Sequence, residues 1–266
     1  TNGLPILHHI RPKVNHLLRK FKNALTRGRA GSILASVICF PRCDMAEFKV
    51  YEIKQNVFAD NNREADKVRE QLKAEKTFLL NLMSSPGSGK TTTLRATIAR
   101  LKDTLRIGVM EADLDSAVAA RTIAETGVRA IQLHTGGMCH LDADMTRQGL
   151  TEMGTGDIDL AILENVGNLV CPAEFDTGAV KNVMILSVPE GHDKPLKYPL
   201  MFEVCQALII NKIDVLPYFD FDMDKVREFA LKRNPELKIF PISAKTGEGV
   251  DAWCQWLENE VNAWNA

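Results

Sequence analysis

An α/β fold, built on a mostly parallel β-sheet flanked by helices, is predicted by three observations. Short apolar runs recur along the chain and are separated, for the most part, by stretches of helical periodicity. One run, Phe78–Met83, leads straight into Ser84-Ser85-Pro86-Gly87-Ser88-Gly89-Lys90-Thr91-Thr92, a strand followed by a glycine loop and a helix start. The chain has 266 residues and is 45% hydrophobic, enough to bury the core of one large α/β domain.

The glycine loop carries the chemistry. A phosphate tail needs donors all round it and a backbone that comes close, so Gly87 and Gly89 remove Cβ atoms where the loop wraps the anion. The amides from Gly87 through Ser88 to Thr92 supply donors, Lys90 neutralises the β- and γ-phosphates, and the Thr91 hydroxyl holds Mg²⁺, as expected of a P-loop nucleoside triphosphatase. The strict pattern wants glycine where this chain has Ser84.

The formal net charge of −1 hides an asymmetry. Residues 1–44 hold eight Lys/Arg and one acid, Asp44, whereas from Met45 onward 25 Lys/Arg face 33 Asp/Glu, a net of −8. An acidic body argues against nucleic acid as a partner, because neutralising phosphates takes clustered basic groups. The six cysteines are scattered rather than arranged as a disulfide framework, which suits a reducing cytoplasm, and no apolar run reaches the ~18–20 residues of a membrane span.

In order along the chain, residues 1–44 read as a basic leader, disordered or outside the native protein, with Met45 as a start. Cys39 and Cys43 have no companion ligands nearby. Residues 45–76 form an N-terminal arm and helix: Phe48–Ile53 alternates like an edge strand, and Asn61–Lys76 is a charged helix with Ala65, Val68 and Leu72 on one face. Residues 77–266 form the nucleotide domain. Its P-loop helix runs to about Leu101, and further strands are expected at Ile107–Met110, Ala130–Leu133, Leu160–Leu163, Val183–Val188, Ala207–Ile210 and Ile239–Ile242.

Functional loops of such a sheet lie at the carboxyl ends of its strands. Asn211-Lys212-Ile213-Asp214 follows one of them, and a carboxylate there accepts two hydrogen bonds from a guanine edge, which selects GTP over ATP. Asn211 ties the loop to the P-loop, the Lys212 stem covers the base, and Ser243-Ala244-Lys245 places a backbone amide on the guanine oxygen. Asp113 and Glu164, each at a strand end, are the Mg²⁺-side acids, and Gly167 frees an amide to sense the γ-phosphate. Asp115 is also near, with a helix N-cap as its alternative role. Lys90, Asp113 and Glu164 form the expected catalytic set. Cys139-His140 and Cys171 pair thiolate with imidazole, which suits zinc or nickel better than Mg²⁺. On spacing alone, a buried thiol and a satisfied histidine explain them as well. Cys205 and Cys254 sit in apolar surroundings and read as core.

With these residues in hand, residues 45–266 resemble the HypB family, GTPases that help insert nickel into nickel–iron hydrogenase. The matching blocks are Ser84–Thr92, Cys139–Ala143, Glu164–Pro172, Asp193–Pro199 and Asn211–Asp214. The resemblance implies a homodimeric GTPase of the signal-recognition, MinD and BioD class, with Cys139, His140 and Cys171 as ligands for nickel or zinc. It also implies a HypA-type nickel chaperone and the hydrogenase large-subunit precursor as partners. Family members usually read Thr-Gly-Lys where this chain has Thr135-Gly136-Gly137-Met138, and an acid is expected at Ala119. The rival readings are a urease-type nickel GTPase, a small-metabolite P-loop kinase, which Asn211–Asp214 opposes, and a metal-buffering protein without turnover.

Overall fold

The computed structural model describes residues 53–113 and 122–266, with side chains given for 57–112 and 122–266. The expected leader, the arm at 48–52, Cys39, Cys43, Asp115 and Ala119 lie outside the described residues. Seven strands, β1 (Phe78–Ser84), β2 (Ile107–Asp113), β3 (Arg129–His134), β4 (Leu160–Glu164), β5 (Lys181–Ser187), β6 (Ala207–Asn211) and β7 (Lys238–Pro241), pair in the order β3-β2-β4-β1-β5-β6-β7. Every pairing is parallel. Each apolar run proposed from the sequence lies on one of these strands, give or take a residue or three at the ends. The chain leaves the middle strand β1 toward β2 and returns to its other side at β5. This reversal of strand order opens a crevice beyond the carboxyl end of β1, where the P-loop sits.

Alternation along β1 sends Phe78, Leu80 and Leu82 to one face and Leu79, Asn81 and Met83 to the other. On the first face they pack with α2 (Lys90–Leu101) and, at the carboxyl end of the chain, the amphipathic helix Val250–Asn265, through Leu94, Ile98, Trp253 and Leu257. Trp253 is 1% exposed and its indole N–H donates to Thr97 Oγ1 over 2.9 Å, so the largest buried ring leaves no unpaired donor. On the second face, Val68 and Leu72 of α1 (Ile53–Glu75) cover Leu79 and Leu163, together with α3 (Ala143–Met153).

The sequence placed the start of the first helix at Asn61 and an edge strand up to Ile53; the helix instead begins at Ile53. Asparagine is a poor helix former because its side chain competes for backbone groups. Here Asn61 finds its partners elsewhere: Nδ2 donates to Asp176 O (2.9 Å), and Oδ1 accepts from Ala143 N (2.9 Å). Tertiary contacts thus carry the helix through the residue that locally suggests its end. Among the described residues, no helix is long and apolar enough to cross a membrane.

Candidate functional site

The P-loop turns between β1 and α2 with Gly87 at φ +76° and Gly89 at φ +95°, conformations that cost a side-chain-bearing residue strain. At Gly89 the space is also closed, since a Cβ would lie 2.5 Å from Asn211 Nδ2. Lys90 Nζ donates to Ser84 Oγ over 3.0 Å. The departure from glycine at Ser84 therefore has a consequence: its hydroxyl gives Lys90 an oxygen partner. Ser88 is buried, and its Oγ has no hydrogen-bond partner. Ser85 Oγ donates to Glu190, whose other oxygen accepts from Ser187 N and Oγ, both at 2.7 Å, so the P-loop is bolted to the end of β5.

One buried acid meets Thr91, and a second lies across the strand from it. Glu164 Oε1 accepts from Thr91 Oγ1 over 3.3 Å, and Glu111 lies opposite Glu164 in the β2–β4 register; they are 4% (Glu111) and 3% (Glu164) exposed. A hydroxyl and two carboxylates are a donor set for a hard divalent cation such as Mg²⁺. Asp113 ends β2, and its side chain is not among those described. Glu111, two residues earlier, is the acid the sequence reading passed over; the burial of a β-strand carboxylate among apolar neighbours was its signal. Gly167 comes close to the loop: a Cβ there would stand 3.2 Å from Pro86 Cγ and 3.4 Å from Lys90 Nζ.

The base-side corner is assembled from β6 and the turn after β7. Asn211 Nδ2 donates to Ser88 O (3.0 Å), while its Oδ1 accepts from Lys212 N (2.8 Å) and Ala244 N (3.1 Å). Lys212, at φ +64°, reaches across the loop and donates to Gly87 O over 2.7 Å. Ser243 Oγ donates to Asp214 Oδ1 (2.7 Å), which orients the carboxylate. Asp214, Lys212, Val215, Ala244 and Lys245 line a cleft of about 340 Å³. Within Ser243-Ala244-Lys245, the Ala244 amide donates to Asn211, which ties the two loops together.

The soft ligands converge from two loops. Ligand atoms of Cys139, His140 and Cys171 all lie within 4.8 Å of one another, with Cys139 exposed, His140 buried and Cys171 between. Cys139 Sγ stands 3.9 Å from His140 Nδ1, and His140 Nε2 is buried with no hydrogen-bond partner. The imidazole stacks on Phe175 at 3.8 Å and 16°, and Phe58 of α1 packs on Phe175 at 5.0 Å. Burial pushes the His140 imidazole below its ordinary range, and the neighbouring Cys139 thiol pushes Cys171 up. Cys205 and Cys254 are buried; desolvation pushes the Cys254 thiol up to about 11 and Cys205 further still, so both are inert core.

Asn61, Phe175 and Glu190, which hold these loops, were missed from the sequence. Each acts through a tertiary contact with a residue far along the chain, and no local pattern marks that.

Residues 78–241 match the model of the CobW/HypB/UreG nucleotide-binding domain. The Escherichia coli K12 hydrogenase maturation factor HypB is 46% identical over 216 residues, covering 81% of this chain and 74% of that protein. Among solved structures, HypB from Helicobacter pylori in complex with nickel superposes with a TM-score of 0.72 at 39% identity, covering 77% of this chain and 96% of that one. The hydrogenase maturation factor HypB from Archaeoglobus fulgidus gives 0.72 at 37% identity, covering 76% and 99%. This chain therefore belongs to the HypB branch of the CobW/HypB/UreG family.

Proposed function

We infer that the chain is a GTP-hydrolysing nickel metallochaperone that assists nickel insertion during the maturation of nickel–iron hydrogenase. One observation carries the reading. The loop that begins at Glu164, in contact with the P-loop threonine, ends seven residues later at Cys171, in contact with Cys139 and His140. Nucleotide chemistry at one end of a short segment and a soft-metal ligand at the other suit a protein that links GTP state to the holding of a metal cargo.

In this reading Gly87–Thr92 bind the triphosphate and Lys90 neutralises its charge. Thr91, Asp113 and Glu164 would hold Mg²⁺, with Glu111 paired to Glu164 across the strands; an ion there would screen the phosphate oxygens. Asp214 reads the guanine edge. Cys139, His140 and Cys171 hold Ni²⁺, or Zn²⁺ in its place. Three ligands leave a four-coordinate site incomplete unless water or a second copy of the patch completes it, which supports a homodimer with the metal at or beside the two-fold axis. The family supports a cytoplasmic setting, with a HypA-type nickel chaperone and the hydrogenase large-subunit precursor as partners.

The test is a GTP turnover assay on the full chain, joined to nickel titrations of the nucleotide-free, GDP-bound and non-hydrolysable-GTP-bound protein. Turnover with nickel affinity that differs among the three states is expected. Linkage is reciprocal, so a tenfold change in nickel affinity on GTP binding, ~1.4 kcal/mol, requires the same change in GTP affinity on nickel binding. Metal binding with no turnover would leave the buffering reading; ATP competing equally with GTP would sink the guanine assignment.

A further inference from the structure

The strand β1 reads Phe-Leu-Leu-Asn-Leu-Met-Ser, and all seven residues are buried. Asn81 is 1% exposed in the middle of it. An amide in such a strand is costly unless each of its polar atoms is paired, so its retention needs a reason. Its partners form a row across the back of the sheet. Asn165 Nδ2 donates to Asn81 Oδ1 over 3.1 Å, Asn81 Nδ2 donates to Asn182 Oδ1 over 3.0 Å, and Asn182 Nδ2 donates to Val204 O over 3.3 Å. Asn165 is wholly buried, and its own Oδ1 accepts from Val166 N at 2.9 Å.

The row sits between two apolar clusters. On one side Val166 packs with Leu79 and Leu163, and on the other Leu169 packs with Met83 and Met184. The Glu164–Cys171 segment therefore straddles the seam, with one apolar foot in each cluster and Asn165 rooted between them. Glu164 and Asn165 are consecutive, and strand alternation sends them to opposite faces, Glu164 toward Thr91 and Asn165 toward Asn81. Apolar feet resist withdrawal but not sliding; the amide pair fixes position along the strand.

We propose that Asn81 is a positioning residue, pinning Asn165 from behind the sheet so that Glu164 is set against the P-loop and Cys171 against Cys139 and His140. The proposal rests on the reading of the two sites given above. It assigns the coupling of those sites to a hydrogen bond that touches neither ligand.

The test compares Asn81→Ala with Asn182→Ala in the full chain. Both variants cut the seam, but only the first removes the acceptor of Asn165. Outer-shell supports of this kind are worth about tenfold or more, so Asn81→Ala is expected to lower kcat for GTP by about tenfold and to weaken nickel binding in the nucleotide-free protein by a similar factor. GTP affinity should change by less than about twofold, because the P-loop backbone and Asp214 are untouched. Exchange of the Val166 amide hydrogen should accelerate. Asn182→Ala should lower Tm while leaving kcat, nickel affinity and Val166 exchange near parental values. Should Asn81→Ala fail to fold, Asn81→Ser takes its place with the same expectations. Parental kcat, nickel affinity and Val166 exchange in the Asn81 variant, or equal losses in both variants, would overturn the proposal. A parent protein that turns over no GTP would instead overturn the GTPase reading, and the nickel and exchange measurements would still decide the role of Asn81.

Discussion

The base-side corner and the metal-side corner sit on the same sheet edge but are held in different ways. Around Asp214, Asn211 makes three hydrogen bonds and Ser243 orients the carboxylate. Around Cys171, Cys139 is exposed and one nitrogen of His140 is buried without a partner. The first arrangement is pre-organised and suits discrimination between bases, because a wrong edge meets fixed groups that cannot adapt. The second brings metal-ligating atoms of Cys139, His140 and Cys171 within 4.8 Å of one another from two loops.

Breaking the metal corner should give the largest effect. Cys171→Ala removes one of three soft ligands, and nickel affinity should fall by more than ~100-fold, since even outer-shell losses cost 10–100-fold. Nucleotide affinity should hold, as isothermal titration with GDP would check; full nickel binding by this variant would dissolve the assigned site. Breaking the nucleotide corner comes next. Lys90→Ala should reduce turnover by roughly 10²-fold or more with the fold intact by circular dichroism, because Lys90 bonds Ser84 rather than core and, in the proposed reading, neutralises phosphate charge. Normal GTPase activity in that variant would remove the P-loop assignment.

Asp214→Asn sharpens the contrast, since a pre-organised corner should pay for a mispaired edge. GTP binding should weaken by about 1–3 kcal/mol while xanthosine triphosphate gains, its carbonyl accepting from the new amide. Unchanged preference in competition assays would mean that Asp214 does not read the base. The smallest effect is on stability. A Cβ at Gly178 (φ +78°) would stand 2.6 Å from Val68 Cβ and 3.0 Å from Ala65 O, so Gly178→Ala should lift α1 from the sheet and cost about 1–3 kcal/mol by chemical denaturation. GTP turnover should persist; loss of turnover before loss of nickel binding would place α1 under the nucleotide corner instead.

The P-loop, the seven strands and the Asn211–Asp214 loop were legible because each is written locally: apolar runs of strand length, glycines at positive φ, and a carboxylate one strand-end away. The convergence of Cys139-His140 with Cys171 was visible as a set of types but not as a distance. It depends on β4 lying between β2 and β1, a strand order that no local pattern encodes. Glu111 and Asp113 share the carboxyl end of β2, and no local pattern says that Glu111 is the one paired with Glu164. Asn81 did break an apolar strand, and that break was readable; what it bonds to was not, because Asn165 lies 84 positions further on. The helix start at Ile53 rather than Asn61 shows the converse, a local stop signal overridden by long-range bonds.

Those two bonds of Asn61 have a mechanical corollary. Its amide grips Ala143, three residues beyond His140, and Asp176, five beyond Cys171, so α1 works as a crossbar between the two stretches that carry the cysteines. Arg69 adds a second fastening through Asp176 Oδ2 at 2.6 Å and Ala179 O at 3.2 Å. One helix fastens both segments, so a displacement of α1 moves Ala143 and Asp176 together, and with them the stretches that lead to His140 and Cys171.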